Sequence, residues 1–318
     1  MNKLHAAGCF AASLACTAAH AERAYVPNEG DGTISVIEIA NGKPATATLL
    51  NNVSLGKKIQ GVVVDRSGKL LFVVDADASV VLAVDTATGE LKKTIPVGKA
   101  PEAIDLSPDG KTLAVCSEEA NQAVFIDVAS LVQTRQIDVQ GRNPEHCVYN
   151  PNGRQLLVSN EESHDIDVID LVAGKSVARI KVDGAARGLD FLPDGKSAYV
   201  ANEGAGMVDV IDVASSAVVK SITTALRPAG IAVHPNGKRV YATNGGAGSV
   251  SVIDTRTNEV IATVPVGQRP WNMAMTLDGG LLFVANGRTD NVSVIDTATN
   301  QVVDTIAVGK KPWGVAIR

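Results

Sequence analysis

Residues 228–269 read PAGIAVHPNGKRVYATNGGAGSVSVIDTRTNEVIATVPVGQR. Four short runs rich in Val, Ile, Ala and Thr lie within them: 230–233, 239–243, 249–253 and 259–265. Turn signals separate the runs. In His234-Pro-Asn-Gly237 the Pro presets φ and the Gly supplies a positive one. Asn244-Gly-Gly-Ala-Gly248 and Asp254-Thr-Arg-Thr-Asn258 part the later runs. Four β-prone runs with a turn after each predict a small antiparallel sheet, and no helical periodicity competes with it.

The phrase returns almost from end to end. Counted from the Pro, or its stand-in, that opens the first run, repeats begin at Ile59, Pro101, Pro144, Ala186, Pro228, Pro270 and Pro312. A period of about 40–45 residues is that of a four-stranded propeller blade. The chain opens on second, third and fourth strands (23–27, 33–39 and 46–55) and ends on a lone first strand, 313–317. Together these complete one more blade. The spacing therefore predicts an all-β, seven-bladed β-propeller, with four antiparallel strands per blade. The C-terminal innermost strand closes the ring on the N-terminal strands, which removes the exposed edges of an open array. Residues 22–318 form this single domain.

Tyr25-Val-Pro-Asn28, Tyr199-Val-Ala-Asn202, Val240-Tyr-Ala-Thr-Asn244 and Phe283-Val-Ala-Asn286 resemble the signature of the YVTN-repeat β-propellers. So do Ser251-Val-Ile-Asp254 and Ser293-Val-Ile-Asp296, and the Val-Gly-x-x-Pro phrases at 266–270 and 308–312. The resemblance covers nearly all of 22–318. It implies kinship with exported bacterial propellers that accompany periplasmic redox systems, including quinone-cofactor catabolism. Lactonases, a lyase and periplasmic zinc carriers belong to the wider superfamily. No catalytic motif of these relatives is present to carry over, and propellers host many unrelated functions.

Residues 1–21 read as a secretory signal peptide: Lys3, an Ala-rich apolar stretch over 4–19, and the A-x-A site Ala19-His-Ala21. The expectation is a periplasmic or secreted protein, cleaved near Ala21. No later apolar run is long enough to span a bilayer. A formal net charge of −5 without basic clusters argues against nucleic acid, leaving a small molecule or a periplasmic protein as partner.

Propeller geometry directs attention to one face. The residues entering the first strand and the turns joining second to third strands share it, and they vary from blade to blade. The Pro-Asp-Gly and Pro-Asn-Gly turns of the opposite face barely vary. The residue after the leading Pro reads Gln60, Glu102, Glu145, Arg187, Ala229, Trp271, Trp313 around the ring. Two adjacent Trp across from three charged groups suit a ligand pocket with an apolar wall and orienting polar contacts. An inert channel end capped by Trp is the alternative.

The second-to-third-strand turns are acidic, and His146 and His164 fall in the same blade. Glu118, Glu161, His146 and His164 offer donors for a divalent metal such as Zn²⁺ or Ca²⁺. Their spacing matches no metal-binding signature, and solvated loop acids with two incidental histidines are the favoured alternative. Cys116 and Cys147 fall near the same face in neighbouring blades. An interblade disulfide is one reading in an oxidising compartment; two buried thiols is the other.

These observations point to a non-catalytic binding propeller, accessory to a redox or cofactor system. Trp271 and Trp313 are its apolar contacts, and Gln60, Glu102, Glu145 and Arg187 its polar ones. The competing expectation is a metal-assisted lactonase or lyase on the same face, or a metal carrier.

Overall fold

The computed structural model describes residues 22–51 and 54–318, so the signal-peptide assignment lies outside the described residues. Blade 1 is shared by the termini. It holds Glu22–Asn28, Thr33–Ala40, Lys43–Pro44, Thr48–Leu49 and the C-terminal Ala316–Ile317. Blades 2 to 7 span 59–96, 101–138, 144–181, 186–223, 228–265 and 270–307, each a four-stranded antiparallel sheet with its strands in sequence order. The seven-bladed ring expected from the repeat is the ring observed.

Closure is narrower than the sequence suggests. The last strand pairs with the first only at Ala24 with Ile317 and Tyr25 with Ala316, with an isolated bridge from Asn28 to Pro312. The gap has a blade-wide cause. Every complete inner strand loses register just after its first residue, as between Pro228 and Ile231 or Pro270 and Met273. A bulge of this kind unpairs one or two residues and re-aims their side chains. In blade 1 the same break falls inside a strand too short to bridge it. The fourth strand of blade 1 is likewise split into two short pieces, each pairing with Thr33–Ala40.

The apolar core is divided into layers between blades. Each of the seven buried clusters joins two neighbours. Phe72 and Val74 pack with Leu113 and Val115 between blades 2 and 3, and Tyr199 and Val208 with Val240 and Ala242 between blades 5 and 6. Ring closure is one more such layer, with Ala24, Val26 and Ile37 against Phe283, Ala285 and Val292. The YVTN-type runs supply both faces of these layers, because a central strand is buried on both sides.

A buried amide explains why Asn ends those runs. The Nδ2 of Asn28, Asn160, Asn202, Asn244 and Asn286 donates to the residue seven positions on: Ser35 (3.0 Å), Asp167 (2.8 Å), Asp209 (2.5 Å), Ser251 (2.9 Å) and Ser293 (2.9 Å). The amide thereby clamps the second strand to the third. The Gly of Val-Gly-x-x-Pro lies against it: a Cβ at Gly267 would stand 2.6 Å from Asn286 Cγ, and one at Gly309 2.4 Å from Asn28 Nδ2. The two halves of the motif are one packing unit.

Asn286→Ala is expected to lower unfolding free energy by about 1–3 kcal/mol, because it strands the buried Ser293 hydroxyl. Gly267→Ala should cost a similar amount by overpacking the same amide. Urea denaturation of both variants checks this; midpoints within error of wild type would refute the clamp.

Candidate functional site

One backbone contact builds the variable face. In all seven blades the residue preceding the first strand accepts a hydrogen bond from the N–H of the second residue of the following turn. The pairs are Lys58 with Ala76, Ala100 with Glu118, Asn143 with Glu161, Ala185 with Glu203, Arg227 with Gly245, Arg269 with Gly287 and Lys311 with Glu29. Blades 3 to 5 put Glu on the turn and a neutral residue opposite. Blades 6 and 7 put Gly on the turn and Arg opposite. The mouth is thus split into an acidic arc and a basic arc.

The arcs meet at Arg187. Carried into the mouth by the inner strand of blade 5, its guanidinium donates to Glu145, to Glu161 (2.8 Å) and to Glu203 (2.7 Å). Glu203 also takes Arg227 at 2.6 Å and Arg269 at 3.3 Å. Burial alone would push the Glu203 carboxyl up, but the surrounding guanidinia hold it below the ordinary range. Arg269 in turn lies 4.0 Å above the Trp271 ring, a cation–π contact. Gly287 makes room for that indole, since a Cβ there would sit 2.6 Å from its Cδ1.

On the acidic side the groups are too many for their counter-charges. Burial first, then the neighbouring Glu145 charge and a hydrogen bond with Glu118, raise the Glu102 carboxyl well above its usual range. Glu145 is 1 % exposed and its Oε2 has no hydrogen-bond partner. Burial pushes its pKa up to about 8, against the opposing pull of Arg187. At neutral pH Glu145 is therefore mainly an acid.

His146 and Asn272 occupy the third position of their inner strands, where the other blades have Gly61, Ala103, Gly188, Gly230 and Gly314. Only these two side chains of that ring are long enough to reach into the channel. There His146, Asn272, Trp313, Gly61, Ala103 and Gly314 line a cavity of about 120 Å³. The imidazole stacks on Trp313, with centroids 5.9 Å apart and planes 12° from parallel. The Asn272 amide approaches the ring, yet no hydrogen bond of normal geometry reaches either nitrogen. Burial, then the Arg187 charge, lower its pKa to about 4, so His146 is a neutral base.

The sequence-derived candidates thus separate into distinct places. Glu102, Glu145 and Arg187 share one electrostatic network. Trp313 lines the channel cavity. Trp271 lines a different cavity, of about 270 Å³, together with Arg227, Arg269, Arg288, Lys311, Gly287 and Glu29. Gln60 is buried. Of the candidate metal donors, Glu161 is bound to Arg187, Glu118 to Glu102, and His164 is exposed on its turn. Among the described residues no group of three or more His, Cys, Asp or Glu is arranged to hold a metal ion. Cys116 and Cys147 are free thiols in one interblade layer, and burial first, then its hydrogen bond to Cys147, raises Cys116. The Arg227, Arg269 and Lys311 column is not among the candidates that the sequence motifs select. Its four successive cations, with Lys58, are visible once the residue before each leading Pro is aligned.

A second pair of acids sits further along the inner strands. Asp105 accepts from the N–H of Tyr149 at 2.8 Å, and Asp190 from that of Val233 at 2.8 Å, so each ties its blade to the next. Burial raises them to about 6 and about 7.

Fold and mouth together define a seven-bladed propeller with an asymmetric, highly charged channel entrance. Residues 171–308 match the family described as lactonase, 7-bladed beta-propeller, and residues 7–153 match the YNCE-like beta-propeller family. No curated protein matches the chain. Among solved structures it is similar to Kuenenia stuttgartiensis hydrazine synthase, with 22 % identity, a TM-score of 0.73, and 84 % of this chain and 92 % of that one covered. It is similar also to a Bacteroides uniformis protein provisionally named 6-phosphogluconolactonase, with 19 % identity, a TM-score of 0.79, and coverage of 94 % and 99 %. At these identities the likeness carries the fold alone. Among the described residues no helix is long and apolar enough to cross a membrane.

The Asp190 shift makes a signed prediction. A carboxyl raised in the folded state binds a proton that the unfolded chain has released. Its stabilising contribution is complete below about pH 4 and disappears as pH rises through about 7. Asp190→Asn keeps an acceptor for Val233 but cannot titrate. The stability gap between wild type and this variant should therefore shift steadily in the variant's favour from pH 4.5 to 7.5, as read from urea midpoints. Parallel curves would contradict the burial of this acid.

Proposed function

We propose that the chain hydrolyses a small lactone or related cyclic ester at the channel mouth, with His146 as base and Glu145 as acid. The observation that carries this is a pair of adjacent groups pushed to opposite protonation states. His146 is neutral with both ring nitrogens unpaired, and Glu145 is protonated with one oxygen unpaired. Groups whose environments drive their pKa values apart are a recurrent basis for acid and base roles. The lactonase match over 171–308 supports the reaction class.

In this reading His146 takes a proton from water as its oxygen attacks the carbonyl carbon. The ring C–O bond breaks and the departing oxygen takes the Glu145 proton, giving one hydroxy acid per lactone and water. The proton held by His146 then returns to Glu145 through solvent. The Arg187 charge lies beside both groups and favours the oxyanion formed on the way. Trp313 walls the small cavity in which water and carbonyl meet. The YVTN-type phrases and the leader-like residues 1–21 support, within the same proposal, an exported protein working in the periplasm near a redox or cofactor system.

A second reading, ligand binding without turnover, is favoured by one observation. Every donor-bearing arm of Arg187 is already committed to Glu145, Glu161 or Glu203.

Hydrolysis of γ- and δ-lactones by the purified full chain, followed in a pH-stat, separates the two. Turnover is expected between about pH 4 and about pH 8, falling below as His146 protonates and above as Glu145 ionises. His146→Gln and Glu145→Gln should each cost on the order of 10²-fold or more. Lactones that bind without turning over would establish the second reading. Stoichiometric metal, found by elemental mass spectrometry and lost from His146→Ala/His164→Ala, would replace the reaction by a metal-assisted one.

A further inference from the structure

The cavity around Trp271 is separate from the acid–base pair and has the opposite electrostatic character. Arg227, Arg269, Arg288 and Lys311 line it, with Glu29 as its one acid. Arg227 and Arg269 are partly neutralised by Glu203, itself also shared with Arg187. Arg288 and Lys311 are exposed, and among the described residues neither side chain has an ion pair or hydrogen bond. We propose that this cavity is an oxyanion subsite, which holds the carboxylate or phosphate of a small organic ligand against Trp271.

The fold does not require these charges. Arg227, Arg269 and Lys311 occupy a backbone position whose φ is +58°, +52° and +51°, and Ala100 and Asn143 take the same conformation in blades 3 and 4. The left-handed turn is a device of the blade, whereas the cationic side chain is peculiar to neighbouring blades. Arg288 likewise sits third in its turn, where blades 2 to 4 carry Asp77, Glu119 and Glu162. The charge at that place is reversed only here.

Neighbouring residues are trimmed to keep the cations open to the cavity. Blades 3 to 5 carry Glu118, Glu161 and Glu203 at the second turn position, and blades 6 and 7 carry Gly245 and Gly287. A Cβ on Gly245 would stand 3.2 Å from Arg269 Nη1, and one on Gly287 2.6 Å from Trp271 Cδ1. A Glu at either place would fill the space and quench the charge. Like charges gathered in a cavity repel one another, and a bound anion relieves that repulsion while accepting charge-assisted hydrogen bonds. The volume of about 270 Å³ admits such a group with a small organic body.

This inference deepens the reading of the mouth as a small-molecule site. It rests on that reading for the ligand being the molecule hydrolysed, and not for anion binding itself. The test is calorimetric titration of the full chain at low, constant ionic strength with inorganic phosphate, gluconate and neutral glucose, chloride being the background anion. Phosphate or gluconate should bind saturably and glucose should not; whichever anion binds tighter identifies the headgroup. Arg288→Gln/Lys311→Gln removes two exposed charges that hold nothing in the fold, and should weaken that binding at least about tenfold. Anion affinity unchanged in the double variant, or no saturable binding to wild type, overturns the proposal. Lactone turnover is read separately, so loss of either result leaves the other standing.

Discussion

The Asn amide at the end of the second strand is the contact on which the molecule depends. It ties that strand to the third through a buried side chain, and the Gly that leads into the blade closes over it. In blade 2 an acid holds that place and bonds the entering segment instead: Asp75 accepts from the N–H groups of Lys57 and Lys58. In blades 1, 4 and 7 the clamp lies against the Gly of the segment that enters the inner strand, which positions the start of that strand. Burying a polar group is costly unless its bonds are made. Here the amide nitrogen makes its bonds to the third strand while Oδ1 stays without a partner, so the orientation of the side chain rests on the nitrogen.

From that constraint the site follows by bulging. Each complete inner strand leaves register immediately after its first residue, which unpairs Glu145 alone in blade 4 and both Trp271 and Asn272 in blade 7. Glu145 and His146 are successive residues, and a regular strand would send them to opposite faces. With the break in register both lie within the influence of Arg187. The network around that guanidinium then spans blades 4 to 6 and reaches Trp271 of blade 7 through Arg269. The most buried of these ion pairs, Arg187 with Glu145 and Glu203, contribute little net stability, since desolvation offsets their attraction. Their effect is on protonation: the guanidinia hold Glu203 ionised, whereas at Glu145 burial outweighs the pull of Arg187 and favours the acid form.

The mouth is unusual in separating its charges by blade. Acids crowd blades 3 to 5, and bases gather around blades 6, 7 and 1. A symmetric ring could offer a ligand only repeated identical contacts. Splitting the face gives the channel mouth a direction, with an acidic arc and a basic arc and the His146–Trp313 stack lining the channel cavity.

Repeat length, strand and turn chemistry and the incomplete ends determined the seven-bladed ring from sequence alone. Each of these is a local property, repeated often enough to exclude other folds. The ring of residues after the leading Pro was legible for the same reason, and it contains Glu145, Arg187 and Trp313. Which of its members meet was not legible. Trp271 and Trp313 share a column yet line different cavities, because Gly287 lets one indole turn toward the basic turns while His146 stacks on the other. The pairing of Glu118, Glu161 and Glu203 with neutral residues, and of Gly245 and Gly287 with Arg227 and Arg269, depends on a backbone hydrogen bond between distant segments. The protonation of Glu145 and His146 likewise follows from packing: burial acts on both, and the Arg187 charge some 40 residues away opposes it at Glu145 and reinforces it at His146. Only the tertiary structure decided these things, since desolvation and Coulomb forces act through space and leave no mark on the spacing of residues.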